Sequence, residues 1–381
     1  MNAPLSLALD VAAVPNRPGG AGYYTMQLTR GLSARPDVGL TLIARRGDEG
    51  RWRDIAGPEA SVRAAVPPAR PVRLAFEQVG FPALLRSAGV DLHHGPHYTM
   101  PARAPVPCVV TIHDCTFFDH PEWHLRTKAA FFRRAIRYAA RRAAVVVCVS
   151  QTTAERLHAV CEVRAAVVVA PHGVDHDRFS PHEPSSGADR AELDALGIPS
   201  GPPLIVFIGT LEPRKGVVPL IAAFDRLADA HRDAVLVLGG QPGWGMEETD
   251  RALTAARHGG RIVQTGYLPD AAVPALLRHA AVVAYPALEE GFGLPALEAL
   301  ACGAPLVTTE GTAMAEFAQG AARLVPPGDE RSLADALAST LESGADEIRR
   351  ELGLALAARR TWEASVSAHL SAYELALAAP H

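Results

Sequence analysis

The sequence lacks the patterns that mark small secreted scaffolds and membrane proteins. Its 381 residues include five cysteines and no C-x-x-C pair, which is typical of reduced thiols in a cytosolic protein rather than of a disulfide framework or a zinc site. The first ten residues have no basic segment, and the apolar runs are far shorter than the ~20 residues of a membrane span. We therefore expect a cytoplasmic protein that neither carries a signal peptide nor crosses the membrane.

Lysine is also scarce, because only Lys128 and Lys215 stand among 37 basic residues. The formal net charge of −4 hides an asymmetry between the halves of the chain. Residues 1–180 contain 22 basic and 15 acidic residues, whereas residues 181–381 contain 15 and 26. The basic half indicates contact with an anionic partner or surface. The overall acidity and the sparse aromatic residues among the basic ones argue against nucleic acid.

Short apolar runs alternate with helical segments along the whole chain. This alternation predicts the α/β class, with two doubly wound Rossmann-like domains built on parallel sheets. The predicted strands are Leu5–Val11, Leu40–Ala44, Cys108–Ile112, Ala144–Ser150 and Ala166–Ala170, followed by Leu204–Thr210, Ala234–Gly240, Arg261–Gly266, Ala281–Pro286 and Pro305–Thr309.

The composition predicts where one domain ends and the next begins. We predict a first domain over 1–180, a linker rich in Pro, Ser and Gly over 181–203, and a second domain over 204–360. A terminal helix over 361–381 is expected to pack back toward the first domain. Facing α/β domains are expected to bind a ligand at the carboxyl ends of their strands.

A cationic motif opens the second predicted domain. The segment Gly209-Thr-Leu-Glu-Pro-Arg-Lys-Gly216 follows a predicted strand, and Arg214 and Lys215 stand where a helix begins. A helix N-terminus already carries about half a positive charge, so two cations there indicate a bound anion. The alternative is a pair of solvated charges on a loop.

Two glutamates follow the predicted strand Ala281–Pro286. Glu290 is expected on the turn and Glu298 on the second turn of the next helix, roughly 12 Å apart if every step is helical. That distance is too long for a glycosidase pair of carboxylates. We interpret them as groups that bind hydroxyls at two points of one extended ligand. A helix cap for Glu290 and a solvated face for Glu298 are the alternatives.

A glycine-rich loop and several histidines mark the first domain. Gly19-Gly-Ala-Gly22 lies where backbone N–H groups can approach a phosphate, or where the chain merely turns tightly. It does not match G-x-G-x-x-G, which disfavours a dinucleotide site. His113 ends a predicted strand, where it can donate to a sugar hydroxyl or move a proton near neutral pH. His93, His94 and His97 fit no metal-binding pattern.

The stretch 126–142 contains seven basic residues and no acidic one. On a helix, Arg133, Arg137 and Arg141 line one stripe and apolar residues another. Such a helix can lie on an anionic membrane, where each cation contributes about 1 kcal/mol. A helix that packs on the core with a solvated basic face explains the pattern as well.

Together these motifs resemble those of the retaining nucleotide-sugar glycosyltransferases of family 4, which have the GT-B fold. The resemblance covers nearly the whole chain. It rests on Gly19–Gly22, Asp91–Gly95, Ile112–Asp114, Val149–Ser150, Pro171–Asp175, Gly209–Lys215 and Glu290–Glu298. The stretch from His113 to Trp123 is most similar to a subset that includes bacterial mannosyltransferases. Gly216 departs from the family pattern, because many relatives carry Asn there.

The resemblance implies roles for individual residues and implies that no metal or other cofactor is needed. Its catalytic residues would be His113, Arg214, Lys215 and Glu290, with the cation pair on the donor diphosphate, Glu290 on the transferred sugar and Glu298 on the ribose. The implied donor-binding set is Gly19, Gly20, Gly22, Gly209, Arg214, Lys215, Tyr267, Leu268, Glu290, Gly291, Phe292, Gly293, Leu294 and Glu298. The implied acceptor-side set is Tyr23, His97, Asp114 and His172.

We therefore expect hexosyl transfer from GDP-mannose or a UDP-sugar to a glycan, lipid-linked or small-molecule acceptor, in the cytoplasm and at the inner face of the membrane. Alternatives with the same architecture are a nucleotide-sugar epimerase, a sugar phosphorylase and a pseudo-glycosyltransferase. An NAD-dependent oxidoreductase lacks its dinucleotide fingerprint here. A catalytically silent binding module is a further alternative, since fold alone does not establish function.

Overall fold

The computed structural model describes residues 4–344 and 346–379, and these divide into two compact units. The first unit comprises Met1–Gly173 together with Trp362–His381, so far as these residues are described. The second unit comprises Val174–Thr361. The first unit is therefore discontinuous in sequence.

Each unit is built on one parallel sheet, which confirms the predicted α/β class. In the described chain the first sheet has the order β3-β2-β1-β4-β5-β6-β7 and the second the order β10-β9-β8-β11-β12-β13. The strands are β1 Leu5–Asp10, β2 Val38–Arg45, β3 Ser61–Val66, β4 Leu92–Gly95, β5 Cys108–Ile112, β6 Val145–Cys148, β7 Ala166–Val169, β8 Leu204–Ile208, β9 Val235–Gly239, β10 Ile262–Gly266, β11 Val282–Tyr285, β12 Leu306–Thr309 and β13 Arg323–Val325.

Helices connect the strands in both units. They are α1 Gly20–Ser33, α2 Glu49–Ala56, α3 Arg70–Val79, α4 Phe81–Ala88, α5 Thr116–Asp119, α6 Arg126–Arg142, α7 Gln151–Val160, α8 Ala188–Ala195, α9 Val217–Leu227, α10 Met246–Ala255, α11 Ala272–His279, α12 Leu294–Ala301, α13 Ala313–Ala318, α14 Glu330–Ser343, α15 Glu347–Ala358 and α16 Trp362–Ala378. No helix in the described ranges is long and apolar enough to cross a membrane.

The central strands are continuous apolar runs because helices cover both faces of each sheet. Every residue of β5, β6, β8 and β9 is buried. These are the segments that the sequence predicts best. The edge strand β3 alternates exposed and half-buried residues and has no such run.

The segment 181–203 is not a linker, which corrects the predicted domain layout. It contains α8 and belongs to the second unit, whose boundary lies after Gly173 rather than at 180. Asp189 in α8 forms a bidentate ion pair with Arg278 of α11, with both oxygens 2.6 Å from the guanidinium. Both side chains are buried. The composition is compatible with a helical piece between linkers, but it does not predict that this ion pair anchors the helix to the second unit.

Candidate functional sites in the two units

The second unit brings a cluster of charged side chains to the carboxyl ends of β8 and β11. Lys215 Nζ donates to the Tyr285 hydroxyl at 2.8 Å and to the Glu290 carboxylate. Arg214 Nη1 lies 3.7 Å from Glu290 Oε2, and Arg214 Nε donates to Glu212 Oε2 at 2.8 Å. Because β8 and β11 are neighbours in the sheet, the two predicted motifs meet at one place.

Burial and the neighbouring charges have opposite effects on the pKa values of Glu290 and Lys215. Burial alone would raise the pKa of Glu290, but Lys215 and Arg214 outweigh it and hold the pKa below its ordinary value. Burial lowers the pKa of Lys215, against the attraction of Glu290. Burial, helped by Glu290, raises the pKa of Tyr285 well above its ordinary value. Glu290 is therefore an ionised acceptor, and Tyr285 is a neutral donor toward it at 3.1 Å.

Gly216 follows the cation pair and shows why the family pattern is broken here. Its φ of +71° lies in the left-handed region, which asparagine also tolerates. A Cβ at this position would lie 2.1 Å from the Pro286 carbonyl oxygen. The close approach of Pro286 therefore requires glycine at this position in this structure.

The loop between Glu290 and α12 is equally tight. Gly293 has a φ of +89°, and a Cβ there would lie 2.3 Å from Met314 Cγ. This glycine places the first N–H groups of α12 directly after the loop Gly291–Phe292. Phe292, Gly293 and Leu294 of the implied donor-binding set thus lie at the start of a helix, where N–H groups have no partners within the helix.

Glu298 lies on the second turn of α12. Burial raises its pKa to about 7 against the attraction of Arg178, so the carboxyl is protonated in part at neutral pH. It is well suited to donate to, as well as accept from, a hydroxyl group. Tyr267, from the predicted donor set, is 54% exposed, whereas Leu268 is buried against Gly239 and offers only its backbone to a ligand.

The first unit gathers histidine and tyrosine rings at the carboxyl ends of β4 and β5. The ring of His113 lies 5.2 Å from Tyr24, 5.5 Å from Tyr98, 5.8 Å from His97 and 6.1 Å from His172, between centroids. His97, His113 and His172 were predicted from the sequence, and the structure brings them together.

His113 is held as a neutral ring. Its Nε2–H donates to the Pro96 carbonyl at 2.8 Å, which leaves Nδ1 as an acceptor. Burial lowers its pKa below the ordinary value. The arrangement suits accepting a hydroxyl proton in a hydrogen bond. The predicted proton transfer would start from this neutral ring, because burial disfavours the charged form.

Backbone strain accompanies this ring cluster. Tyr98 has a φ of +66° and is the one non-glycine residue with positive φ in the part of the chain that the structure describes. Its N–H donates to the Thr111 carbonyl at 3.1 Å, and its ring packs edge-on against Phe117 and Phe132. Such strain is frequent at ligand-binding positions.

The glycine-rich loop forms the start of α1. Gly19 caps the helix, Gly20 begins it, and Gly22 is held against Pro18, 2.8 Å from where a Cβ would lie. Tyr23 follows directly and accepts a hydrogen bond from Gln27 at 2.7 Å. The loop therefore places backbone N–H groups at a helix start, which is compatible with both alternatives that the sequence leaves open.

Asp114, from the predicted acceptor side, has a local structural role. It accepts hydrogen bonds from Thr116 N at 3.2 Å and Thr116 Oγ1 at 2.8 Å, in the turn that leads into α5. Within the described residues, no group of three or more His, Cys, Asp or Glu side chains is arranged to hold a metal ion. His93 and His94 of β4 are both buried in the core.

The face of α6 that points to solvent carries both charge and apolar area. Ile136, Ala139 and Ala140 are buried against the core. Phe131 is 36% exposed, and Leu125, just before the helix, is 76% exposed. Some cations are engaged: Arg133 donates to the Phe117 carbonyl and Arg141 pairs with Glu162.

Two family models match the chain and together cover most of it. The model described as Glycosyltransferase Family 4 matches residues 18–178, and the model described as Glycosyl transferases group 1 matches residues 189–355. The chain belongs to family 4 of the glycosyltransferases, with the GT-B fold of two Rossmann-like domains.

Individual relatives agree with this family. An O-antigen chain mannosyltransferase B of Escherichia coli is 28% identical over 74% of this chain and 74% of its own length. A D-inositol 3-phosphate glycosyltransferase of Corynebacterium jeikeium is 33% identical over 60% of this chain, but only 57% of its own length is matched. The Anabaena HepE structure in complex with UDP-glucose is 19% identical, with a TM-score of 0.75 over 96% of this chain and 99% of that chain.

Several residues of the two sites were not predicted. Tyr285 ends a strand whose apolar residues indicate only a buried core strand, and Tyr24 is one of several buried residues of an amphipathic helix. Trp362 and His369 lie in α16, where buried residues recur at helical spacing from Trp362 to Ala376. That spacing indicates a helix face that packs on the core. The polar residues on this face are the signal in the sequence from which a role of α16 could have been predicted.

Proposed function

We propose that this chain transfers a hexosyl unit from a nucleoside diphosphate sugar to a hydroxyl group of an acceptor, with retention of the anomeric configuration. The observation that carries the proposal is the cluster of Arg214, Lys215, Tyr285 and Glu290 beside the start of α12. Two cations and a helix N-terminus suit a diphosphate, and an ionised carboxylate suits a sugar hydroxyl.

The charges suggest how the leaving group is stabilised. Negative charge grows on the diphosphate in the transition state, and removing one aimed donor from such a site typically costs about 10²–10³ in kcat. Arg214 and Lys215 supply this stabilisation, so the proposal includes no metal requirement. Glu290 is engaged with both cations and is therefore not assigned as a nucleophile. We assign attack to the acceptor hydroxyl on the face of the leaving phosphate, whose oxygen takes the proton.

GDP-mannose is the first donor to test. The relative in E. coli is named a mannosyltransferase, and the stretch from His113 to Trp123 is similar to that subset. The UDP-glucose complex of HepE keeps UDP-sugars in the donor panel, and the inositol-phosphate relative adds inositol phosphate to the acceptors. The acceptor class proposed is a glycan or lipid-linked glycan, with small polyols as the alternative.

The test is nucleoside diphosphate release by the full chain, with GDP-mannose and UDP-sugars, in the presence and absence of octyl α-mannoside or inositol phosphate. We expect release that depends on an acceptor, persists in EDTA and yields an α-linked product by NMR. A donor present at 100 times its Kd should add about 2.7 kcal/mol to the free energy of unfolding. Sugar interconversion without an acceptor would identify an epimerase, and binding without turnover a silent module.

We also propose that the solvent face of α6 contacts an anionic membrane, which would place the enzyme at the inner face of the membrane. The support is the exposed apolar pair Leu125 and Phe131 within a field of arginines that has no acidic residue on the helix. The amphipathic arrangement is typical of interfacial helices.

Vesicle flotation tests the membrane contact. Replacing Arg126 and Arg134 by Gln should weaken binding to phosphatidylglycerol vesicles roughly 30-fold at low salt, because each cation contributes about 1 kcal/mol. High salt should weaken the wild type as well. The control is Arg331→Gln, an exposed site in the second unit. Equal binding to neutral vesicles, or an equal loss in the control, would contradict the proposal.

A further inference from the structure

Buried hydrogen bonds join α16 to the first helix and the central strands of the first unit. The Tyr24 hydroxyl in α1 lies 2.7 Å from His369 Nε2 in α16 and 2.9 Å from Thr111 Oγ1 in β5. His94 Nε2 lies 2.8 Å from the same Thr111 oxygen, and His94 Nδ1 lies 2.9 Å from the Tyr373 hydroxyl. All five side chains are fully buried. We call them the α16 network.

The hydrogen bonds of the α16 network run in one direction. His369 Nδ1 donates to the Ser365 carbonyl at 2.7 Å, so Nε2 of the neutral ring must accept the proton of the Tyr24 hydroxyl. The Tyr24 oxygen then accepts from Thr111. Burial lowers the pKa of His369 to about 4, which agrees with a neutral ring.

The same argument fixes the other end of the network. Because the Thr111 hydrogen points to Tyr24, the Thr111 oxygen accepts from His94 Nε2–H. His94 Nδ1 is then the acceptor of the Tyr373 hydroxyl proton. Burial holds the pKa of His94 well below its ordinary value, so this ring is neutral too. The Thr111 hydroxyl hydrogen and His369 Nε2 have these partners only while Tyr24 keeps its orientation.

The network reaches the predicted acceptor side through one ring. Tyr24 packs edge-on against His113, at 5.2 Å, and lies at an angle of 34° to His172, at 4.8 Å between centroids. Thr111 lies two residues before His113 at the end of the same strand. The orientation of Tyr24 thus determines which space beside His113 is filled.

A second contact from α16 reaches the same residues. Trp362, at the start of the helix, lies 5.8 Å from His172 and 6.1 Å from Tyr23, between ring centroids. The helix can approach α1 this closely because Gly31 has no side chain. A Cβ on Gly31 would lie 2.4 Å from Val366 Cγ2.

We infer that α16 is the positioning element of the acceptor side: His369, through Tyr24, and Trp362, through His172 and Tyr23, orient the rings around His113 for the incoming acceptor. This inference rests on the proposed transfer reaction. His369 acts through Tyr24 and is a positioning residue, not a catalytic one. Its effect should appear on the acceptor more than on the donor, because Arg214, Lys215 and Glu290, which we assign to the donor diphosphate and sugar, lie in the second unit.

The first measurement uses NMR of the imidazole nitrogens in the full chain labelled with [15N]histidine. In the wild type we expect Nδ1–H in His369 and Nε2–H in His94 and His113. His369→Phe keeps a ring in the helix but removes the acceptor of Tyr24, so the signals of His113 should shift. Val366→Ala is the matched control, because it weakens packing on the same helix without touching the network, and it should leave them in place.

The second measurement is kinetic, with GDP-mannose as donor and octyl α-mannoside as acceptor. His369→Phe should reduce kcat/KM for the acceptor about 10- to 100-fold, as expected when reacting groups are misplaced from a distance. The KM for GDP-mannose should change less than twofold. His369→Gln should recover most of the loss, because its carboxamide oxygen can accept the Tyr24 proton. Val366→Ala should retain wild-type kinetics at temperatures where both variants are folded.

The outcomes separate this inference from the proposed function. A wild type that transfers to no acceptor refutes the proposed function, and the NMR comparison then decides the role of α16 alone. Unchanged His113 signals in His369→Phe overturn the inference. So do equal losses of acceptor kcat/KM in His369→Phe and Val366→Ala, since these would indicate loss of stability and not of orientation.

Discussion

The carboxyl ends of the strands carry different chemistry in the two units. In the second unit, Lys215, Arg214 and Glu290 are charged groups that hold one another in place. In the first unit, His113 and the histidines near it are neutral rings. Packing holds them, together with hydrogen bonds in which each donor and acceptor is fixed. The difference fits the proposed function, in which the second unit binds the donor diphosphate and the first unit binds the acceptor.

A diphosphate leaving group needs stabilisation of charge, whereas an acceptor hydroxyl needs orientation. Charge acts over several ångströms and tolerates small errors in position. A hydrogen-bond network with fixed donors tolerates none, because a rotated hydroxyl leaves buried groups unpaired. The carboxyl ends of the two sheets therefore differ in how they hold their side chains: charge does so in the second unit, and hydrogen-bond geometry does so in the first.

The largest expected effect tests the charged site. Lys215→Ala should lower kcat by about 10²–10³, because a donor aimed at the diphosphate is lost. The fold should remain, as judged by circular dichroism. Arg331→Ala is the control, since it removes an exposed cation from the same unit. Wild-type turnover in Lys215→Ala would show that the charge of Lys215 does not stabilise the leaving diphosphate.

A smaller effect tests the tight backbone beside that site. Gly216→Asn restores the residue common in the family, yet its Cβ meets the Pro286 carbonyl. We expect a loss of about 1–3 kcal/mol in the free energy of unfolding, measured by urea denaturation. Gly311→Asn also has positive φ but open space around it, and it should cost much less. Equal costs at both positions would show that the contact with Pro286 is not the cause.

The smallest effect distinguishes the buried carboxyls of the two units by the sign of their pH dependence. Burial and Asp10 raise the pKa of Glu77 in α3 to about 7. Its protonated form is therefore favoured by folding, and this stabilisation is lost as the pH rises from about 4.5 to about 7. Glu77→Gln should gain melting temperature relative to the wild type when the pH is raised from 5 to 8.

The pKa of Glu290 is shifted in the opposite direction. Its pKa is held below the ordinary value by Lys215 and Arg214, so its contribution to stability is present above about 4.5 and is lost as the pH falls below that value. The difference in melting temperature between Glu290→Gln and the wild type should therefore stay constant from pH 5 to 8. If the melting temperature of Glu77→Gln fell relative to the wild type between pH 5 and pH 8, the raised pKa of Glu77 would be contradicted.

The sequence predicts ten of the thirteen strands of the described chain, including the edge strands β7 and β10. β3 was missed because an edge strand alternates, β4 because Leu92-His-His-Gly95 places polar residues in a buried strand, and β13 because three residues carry little pattern. These strands depend on neighbours far away in sequence, which local periodicity does not report.

The sites were predicted where a motif is local. The cation pair and Glu290 follow their strands directly, so topology alone brings them together. Tyr24 and His369 are 345 residues apart, and no spacing rule joins them. Their contact depends on how α16 packs on α1, which only the folded chain shows.

The discontinuity of the first unit also sets an order of events during synthesis. A ribosome completes the whole of the second unit, Val174–Thr361, before it makes α16. Until then Tyr24, Thr111 and His94 have no partners from that helix, so the polar interior of the first unit stays incomplete while its neighbour can already fold. Translation of α16 therefore completes the described part of the first unit, and the α16 network can form only at that step.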